Sequence, residues 1–508
     1  MLFNHLVRVA CFTIVQAACS TLVALLIGLP FAFFCAKRKF WGQKILLSLS
    51  AVPFCAPSLL VALGYVTFLG LNGGLNQFLM FIFGLKEPPV KFLYSFFGLI
   101  IAHGFYNFPL IMKTVCDAWE HLPPQPEESA RLLGASDFRI FRTITIYHLL
   151  PSVASSGMIT FIYCFLSFIL VLLFGGIGNS TLEVEIYKAA RGQLDFNKAF
   201  LLSLLETCIL LVFIFLYCRL EQKAIRSKGL KKNVIYHKQK ISNPIEIVFF
   251  VILLFLLIVF FIAPMLGIFF NAFTSYRLGN QINFKFTTAT FQRIFKMKSF
   301  LPSLWTTLLC STASGLLCTI IGFIYSVFLK FIEYRQKPRL NAFLSMIPLI
   351  QMTASSVVVG LFLTSIIKNG TFILLICTQA LLFWPTGFKQ INNAVQKIPS
   401  KTLDCAVILS RNKFNAIVRV ILPSVKTQVF SAFCFSFAIC AGDTTLPLVL
   451  AIPKFTSLSL FTYRLAGAYR FNEACASGII LGLICFMIFS LGTNSFIKKI
   501  KGLTKWNI

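Results

Sequence analysis

Apolar stretches long enough to cross a membrane recur along this 508-residue chain and constrain its fold more than any other feature. A helix needs about 20 apolar residues to cross the hydrocarbon core of a bilayer. Eleven stretches approach or exceed that length, at residues 10–35, 46–70, 92–115, 152–176, 199–217, 245–272, 302–328, 341–366, 372–388, 427–452 and 476–496. Hydrophobic residues make up 57% of the chain and charged residues only 12%, which is not typical of soluble proteins. The sequence therefore predicts an all-α, multi-pass membrane protein with about 11 transmembrane helices.

The basic residues are distributed unevenly between the predicted loops. The chain carries a net charge of +30, and 31 of its 46 Lys and Arg residues lie in alternate loops and at the C-terminus. These segments are 36–45, 113–148, 218–244, 329–340, 389–426 and 497–508. The positive-inside rule assigns them to the cytoplasm, which predicts a protein of the bacterial inner membrane with a cytoplasmic C-terminus. The most basic stretch, 219–240, holds one aromatic residue, Tyr236, and no recognition motif, which favours a membrane-surface linker over nucleic-acid binding.

The sixteen cysteines do not form a pattern that indicates a metal site or a disulfide framework. Most stand alone within apolar stretches, as Cys35 and Cys310 do, and no C-x-x-C pair occurs. Isolated thiols in apolar surroundings behave as small buried side chains. We therefore predict no metal ligands and no cofactor.

Short sequence matches between the two halves indicate an internal repeat. Pro109 and Pro385 lie in similar contexts, and so do Pro151 and Pro423. A third match relates 195–199 to 470–474, and all three matches have nearly the same offset along the chain. Because both copies place the same loop in the cytoplasm, the repeat is parallel, unlike the inverted repeats of many secondary transporters.

The repeat predicts a division of the chain into two membrane units and a linker. The first unit spans 1–217, a basic cytoplasmic linker spans 218–244, and the second unit spans 245–508. The apolar stretch 245–272 has no counterpart in the first half. We therefore expect that the first unit lacks its opening helix, or that the true start lies upstream.

A loop motif in the first half carries the strongest functional signal. Residues 126–136 read PEESARLLGAS, and the motif continues to 151. This segment resembles the EAA loop of ABC importer permeases, whose pattern is E-A-A, three residues, Gly, nine residues and I-x-L-P. Four residues fall on pattern positions: Glu128, Ala130, Gly134 and Ile144. The sequence departs from the pattern at Ser129, Ile146 and Tyr147, which replace Ala, Leu and Pro.

The matching loop of the second half holds a more divergent copy of the motif. Asp404, Cys405 and Ala406 take the E-A-A positions, Ser410 replaces Gly, and Val420 replaces Ile. Leu422 and Pro423 match the pattern without change. Two copies in equivalent loops of a repeated unit are far more specific than one.

The residue types in the first copy suit a short docking helix. Ala130 and Gly134 are four residues apart, so we expect them to share a helix face that another backbone can approach closely. Glu128 follows three prolines, where an acid complements a helix N-terminus. The alternative is an ordinary loop helix that only covers the end of the bundle.

The chain lacks the motifs of an enzyme. No G-x-x-x-x-G-K-[ST], H-E-x-x-H or G-x-S-x-G sequence occurs, and the five His residues are scattered. We predict no catalytic residues, so ATP hydrolysis would require a separate subunit.

Further segments resemble the permeases of the thiamine and ferric-iron importer group, in which two units are fused in one chain. These segments are 102–109, 174–176, 180–187, 457–464 and 467–470. The resemblance implies a type I ABC importer permease with two cytoplasmic ATPase subunits and a periplasmic substrate-binding protein. It also implies thiamine or a phosphorylated thiamine as the substrate. The alternatives are a ferric-iron importer permease and, from another class, a secondary transporter driven by an ion gradient.

One acidic residue within an apolar stretch is a candidate for the substrate path. Asp443, followed by Thr444, lies in or near the stretch 427–452, where a charge is costly and often functional. Because thiamine is a cation, these two residues could line its path. Alternatively, Asp443 caps a helix or bonds to neighbouring hydroxyls.

Overall fold

A computed structural model of the chain describes residues 2–51, 56–175, 180–228, 238–274, 286–351, 354–367, 370–409, 415 and 417–492. Up to residue 228 the helices are α1 (Leu2–Lys37), α2 (Gln43–Ser48), α3 (Ser58–Leu69), α4 (Gly74–Phe83), α5 (Phe96–Glu120), α6 (Gln125–Leu132), α7 (Asp137–Ile140), α8 (Ile146–Phe165), α9 (Ile169–Phe174), α10 (Leu182–Tyr187) and α11 (Phe196–Lys228). From residue 238 they are α12 (Pro244–Leu257), α13 (Ala263–Phe273), α14 (Ala289–Lys296), α15 (Phe300–Tyr334), α16 (Pro338–Leu344), α17 (Ile347–Gln351), α18 (Ser356–Ile366), α19 (Phe372–Val395), α20 (Ser400–Leu409), α21 (Leu422–Gly442), α22 (Thr445–Leu450), α23 (Leu458–Gly467) and α24 (Phe471–Gly492).

Short irregular elements connect some of these helices. A 3₁₀ turn covers Leu49–Ala51, and π-helical turns cover Phe141–Thr145, Lys188–Gly192, Ile258–Ile262 and Ile417–Ile421. The strands of the described segments are β1 (Arg38–Lys39) and β2 (Gln239–Lys240), which pair in parallel.

The prediction of an all-α, multi-pass membrane protein is confirmed. Within the described residues, ten helical segments are long and apolar enough to cross a membrane. The number rises to eleven if Pro338–Gln351 and Ser356–Ile366 form one span. The pattern of apolar stretches therefore gave both the fold class and the approximate number of spans.

Two predicted spans begin and end earlier than expected. The helices end at Phe165 and Gly442, whereas the predicted spans run to 176 and 452. Apolar residues continue beyond both breaks in the short helices α9 and α22, so hydropathy alone does not reveal where the backbone turns. The predicted span at 46–70 differs in the other direction. The helical segment long enough to cross a membrane there is Ser58–Phe83, which begins and ends later along the chain.

The described residues form two compact units by their internal contacts. The first comprises 1–53 and 64–268, and the second comprises 54–63 and 269–508. Helix α12 therefore belongs to the first unit, where Phe250 and Leu253 share an apolar core with Phe34 and Phe108. The sequence units 1–217 and 245–508, with the linker 218–244, describe the repeat along the chain and stay a prediction.

The same side-chain hydrogen bond occurs once in each unit. In the first unit, the hydroxyl oxygen of Thr13 accepts a hydrogen bond from the Leu182 N–H at 3.0 Å. In the second, the hydroxyl oxygen of Thr307 accepts one from the Leu458 N–H at 2.7 Å. These equivalent bonds indicate that α1 in the first unit corresponds to α15 in the second. The residues around Leu182 likewise correspond to those around Leu458.

Close helix packing is also repeated. A Cβ on Gly28 would lie 3.0 Å from the Phe108 carbonyl oxygen, and a Cβ on Gly322 would lie 3.0 Å from the Phe388 nitrogen. Both contacts are tighter than side chains normally tolerate, so α1 approaches α5, and α15 approaches α19, at a glycine. The long helices therefore hold the loops at their ends in equivalent positions.

Candidate functional site

The first loop of interest begins with the short helix α6, whose end explains the glycine of the motif. The Ala135 N–H donates to the Ala130 carbonyl at 3.0 Å, and the Gly134 N–H donates to the Arg131 carbonyl at 2.9 Å. This pair of bonds is the Schellman arrangement, which requires a left-handed residue after the helix. Gly134 supplies it with φ +81°, and a Cβ there would contact nothing within 4 Å. The glycine is therefore required by backbone conformation.

This geometry corrects one prediction. Ala130 and Gly134 do not share a helix face, because α6 ends at Leu132 and Gly134 lies beyond it. Glu128 does lie in the first turn of α6, as predicted, and is exposed. Ala130 and Ile144 are half-buried.

Two large apolar side chains project from the end of α6. Leu132 is 90% exposed and Leu133 is 88% exposed. Phe138, in the following helix α7, is also exposed. These adjacent side chains form an exposed apolar surface at the end of α6.

The second loop presents an equivalent pair. Ile408 and Leu409, at the end of α20, are 80% and 85% exposed. They follow Leu132 and Leu133 along the chain by the same offset that relates Pro385 to Pro109. The motif alignment did not single out either pair, although the repeated apolar dipeptide was visible in the sequence.

The other predicted residues of the second loop have distinct environments. Asp404 is half-buried and accepts a hydrogen bond from the Tyr334 hydroxyl at 2.8 Å, and Ala406 is buried. Leu422 is half-buried and Pro423 is exposed, both in the first turn of α21. Ser410 lies outside the described residues.

A buried ion pair attaches α6 to the end of α1 in the first unit. Lys37 Nζ donates to Glu127 Oε2 at 2.9 Å, and the Thr145 hydroxyl donates to Glu127 Oε1 at 2.9 Å. The side chains of Lys37 and Glu127 are only 19% and 10% exposed. The motif alignment selected the neighbouring Glu128 instead and missed Glu127.

The second unit replaces this polar triad with three apolar residues. In the repeat, Leu403 and Ile421 are the counterparts of Glu127 and Thr145. The alignment of α1 with α15 likewise makes Phe331 the counterpart of Lys37. Leu403 and Ile421 are buried in one apolar core, and Phe331 packs against that core. The two units therefore hold equivalent loops by different physical means, one by an ion pair and one by apolar packing.

A second polar cluster lies at the break between α21 and α22. Asp443 Oδ1 accepts hydrogen bonds from the Thr445 N–H at 3.0 Å and the Leu446 N–H at 3.4 Å, so it caps α22. Asp443 Oδ2 accepts one from Gln379 Nε2 at 3.2 Å, and Gln379 Oε1 accepts one from the Ser314 hydroxyl at 2.9 Å. Asp443 thus joins three elements and is half-buried.

The first unit has a polar cluster without an acid at the equivalent break. In the repeat, His103 and Ser167 are the counterparts of Gln379 and Asp443. The His103 Nε2 lies 2.7 Å from the Ser167 hydroxyl oxygen, and its Nδ1 lies 2.9 Å from Gln16 Nε2. A serine therefore takes the position of the acid. In the described part of the chain, no three His, Cys, Asp or Glu side chains form a group that could hold a metal ion.

Comparison with known proteins gives matches along almost the whole chain. The sequence model of the family described as binding-protein-dependent transport system inner membrane component matches residues 28–226 and again 319–501. The chain is similar to the thiamine transport system permease protein of Escherichia coli strain K12, with 24% identity over 98% of this chain and 89% of that protein. The corresponding protein of Haemophilus influenzae strain Rd is 23% identical over 96% of this chain and 88% of its own length.

A further relative matches only part of the chain. A putative 2-aminoethylphosphonate transport system permease protein of Salmonella typhi is 28% identical over 39% of this chain and 68% of its own length.

Proposed function

Because the chain belongs to the family of binding-protein-dependent transport system inner membrane components, we propose that it is the permease of a thiamine importer. The substrate is thiamine or a phosphorylated thiamine. The observation that carries this proposal is similarity to thiamine transport permeases over 98% of the chain, across both copies of the family match. The 2-aminoethylphosphonate permease, in contrast, matches only 39% of the chain.

The two loops fit a permease that is driven by separate ATPase subunits. Each presents an exposed apolar pair, Leu132 with Leu133 and Ile408 with Leu409, at equivalent positions. We assign one ATPase subunit to each loop, which gives two copies on the cytoplasmic side, together with a cytoplasmic C-terminus. The substrate-binding protein then meets the periplasmic side. A secondary transporter driven by an ion gradient would have no need for two such surfaces.

The substrate can be tested with the purified complex of permease, ATPase subunits and binding protein. We expect the thiamine-loaded binding protein to raise the rate of ATP hydrolysis severalfold above the rate with the empty binding protein. A binding protein loaded with ferric iron serves as the matched comparison. Stimulation by the iron-loaded protein alone would replace thiamine with the ferric-iron alternative and leave the permease assignment intact.

We propose that Asp443 and Thr444 of the second unit line part of the substrate path. Asp443 places a carboxylate at the break between α21 and α22, and the residue is half-buried. The Thr444 hydroxyl is buried and has no hydrogen-bond partner among the described residues. A carboxylate beside an unpaired hydroxyl suits a cationic substrate with polar groups, as thiamine is.

Asp443→Asn separates the charge of this residue from its structural role. Asn caps helices about as well as Asp, so α22 keeps its cap while the negative charge is lost. The Gln379 amide turns so that its oxygen accepts from the new amide N–H, because two N–H donors would otherwise face each other. We expect uptake of thiamine into proteoliposomes to show a KM raised on the order of tenfold, since loss of a nearby opposite charge in contact with water costs about 1–2 kcal/mol, and every 1.4 kcal/mol changes affinity about tenfold. Asp443→Glu, which keeps the charge, should show a smaller change. Unchanged uptake by Asp443→Asn would limit Asp443 to helix capping.

A further inference from the structure

The strand pair β1–β2 lies in a small basic region of the first unit. This region is at the ends of two predicted membrane spans. Helix α1 belongs to the span Asn4–Lys37, and α12 begins the span Pro244–Phe273. Strand β1 directly follows the first span, and β2 lies shortly before the second. The strands pair in parallel, with Arg38 opposite Gln239 and Lys39 opposite Lys240.

On one side of this strand pair, the charge of Arg38 is balanced by an ion pair. Arg38 donates to both carboxylate oxygens of Glu246, from Nη2 at 2.7 Å and from Nε at 2.9 Å. Its Nη1 donates to Gln239 Oε1 at 3.0 Å, as expected for register partners on one face. The positive charge of Arg38 is therefore already paired with a carboxylate.

The other side carries two lysines without a matching acid. Lys39 and Lys240 are register partners, so their side chains leave the same face of the pair. Like charges directly opposite each other destabilise a sheet. No carboxylate within the described segments lies within 4.0 Å of either ammonium group, whereas nearby Arg38 and Lys37 both have one. An anion between the two lysines would remove this repulsion.

An open depression in the protein surface lies where such an anion would bind. Its volume is about 500 Å³, and its lining consists of Lys39, Lys240, Phe40, Trp41 and Ile241. Trp41 is 94% exposed. Tryptophan beside lysine is typical of the interface between headgroups and hydrocarbon, where the ring lies among lipid and the ammonium meets phosphate.

We propose that this open depression binds the phosphate-bearing headgroup of an anionic phospholipid. Lys39 and Lys240 contact the phosphate, and Trp41, Phe40 and Ile241 contact the glycerol and the first acyl carbons. A soluble phosphate shares the charge but not the apolar part, so the apolar lining and the position at the ends of two spans favour lipid. The inference does not depend on which substrate the protein transports.

Quenching of Trp41 fluorescence tests the proposal directly. The intact protein is placed in nanodiscs of phosphatidylcholine that contain increasing fractions of brominated phosphatidylglycerol, and Trp41→Phe supplies the signal of the remaining tryptophans. We expect the Trp41 signal to be half-quenched at a mole fraction of brominated phosphatidylglycerol about tenfold lower than in K39Q/K240Q. Brominated phosphatidylcholine should quench both proteins equally and weakly.

Matched variants separate the site from general surface charge and from misfolding. K39R/K240R keeps both charges and should retain preferential quenching. K296Q/K298Q removes two exposed lysines elsewhere and should behave like the unmodified protein. Equal quenching by the two brominated lipids in the unmodified protein would overturn the proposal. So would loss of the preference when millimolar inorganic phosphate is added, since the site would then take a soluble anion.

Discussion

Replacement of Leu132, Leu133, Ile408 and Leu409 by Asp is expected to abolish association with the ATPase subunits and to reduce transport at least a hundredfold. A large apolar side chain contributes about 1.5–3 kcal/mol when it moves from water into a protein contact. Loss of two such side chains in one loop therefore removes several kcal/mol, and every 1.4 kcal/mol changes affinity about tenfold. A buried carboxylate in their place adds a desolvation cost. Co-purification of the ATPase subunits and uptake in proteoliposomes measure the two effects.

The four positions allow a controlled design. Because all four side chains already face solvent, Asp should not unfold the permease, and size-exclusion chromatography can verify this. L132M/L133M conserves apolar volume and should retain association. Tyr469→Asn is a matched control, since Tyr469 is 85% exposed at φ +58° in a different loop, and Asn tolerates that conformation. Association that survives all four Asp substitutions would place the ATPase contact elsewhere.

Variants of a single loop add a further comparison. If each loop contacts one ATPase subunit, L132D/L133D and I408D/L409D should each leave one contact intact. We then expect weakened association in both cases. The variant with the larger loss of transport identifies the loop whose movement limits the transport cycle.

Much of the fold could be predicted from the sequence because it follows from local patterns. The length of an apolar stretch determines whether a helix can cross the membrane, and that length is read directly from neighbouring residues. The repeat was visible from short matches such as Pro109 with Pro385, and the structure shows the same bonds at Thr13 and Thr307. Gly134 was identified because it falls on the Gly position of the EAA pattern, and the structure supplies the physical reason for that residue type, a left-handed conformation.

The parts that could not be predicted depend on contacts between distant residues. Glu127 and Glu128 are adjacent acids, and Glu127 is the buried one because it contacts Lys37 and Thr145, both distant in the sequence. The sequence of the second unit did carry a signal for the burial of Glu127. Leu403 is the counterpart of Glu127 in the repeat, and an apolar counterpart indicates a position that faces the interior. Likewise, hydropathy continues past Ser167 and Asp443, so the breaks that these residues occupy appear only in three dimensions.

The difference between the two loop attachments leads to the second large expected effect. Glu127→Leu alone should reduce transport at least tenfold, because it leaves the Lys37 ammonium without its carboxylate in a site where that side chain is only 19% exposed. Removal of one partner from such a pair costs on the order of 2 kcal/mol here, less than for a fully buried pair. We expect α6 to lose its fixed position relative to α1. Uptake per ATP hydrolysed, measured in proteoliposomes, reports this loss of coupling more directly than uptake alone.

The second unit supplies the matched rescue. K37F/E127L/T145I places in the first unit the three residues that hold the equivalent loop in the second, Phe331, Leu403 and Ile421. Apolar residues of suitable volume often replace a buried ion pair without loss of stability. The triple variant should therefore recover most of the uptake per ATP that Glu127→Leu loses, although it differs more from the natural sequence. Glu128→Leu, which alters the exposed neighbour, should have little effect on this ratio. If Glu127→Leu and the triple variant are both fully coupled, the ion pair has no part in holding the loop. If the triple variant is folded but as poorly coupled as Glu127→Leu, transmission requires the charge itself rather than a firm attachment between α6 and α1.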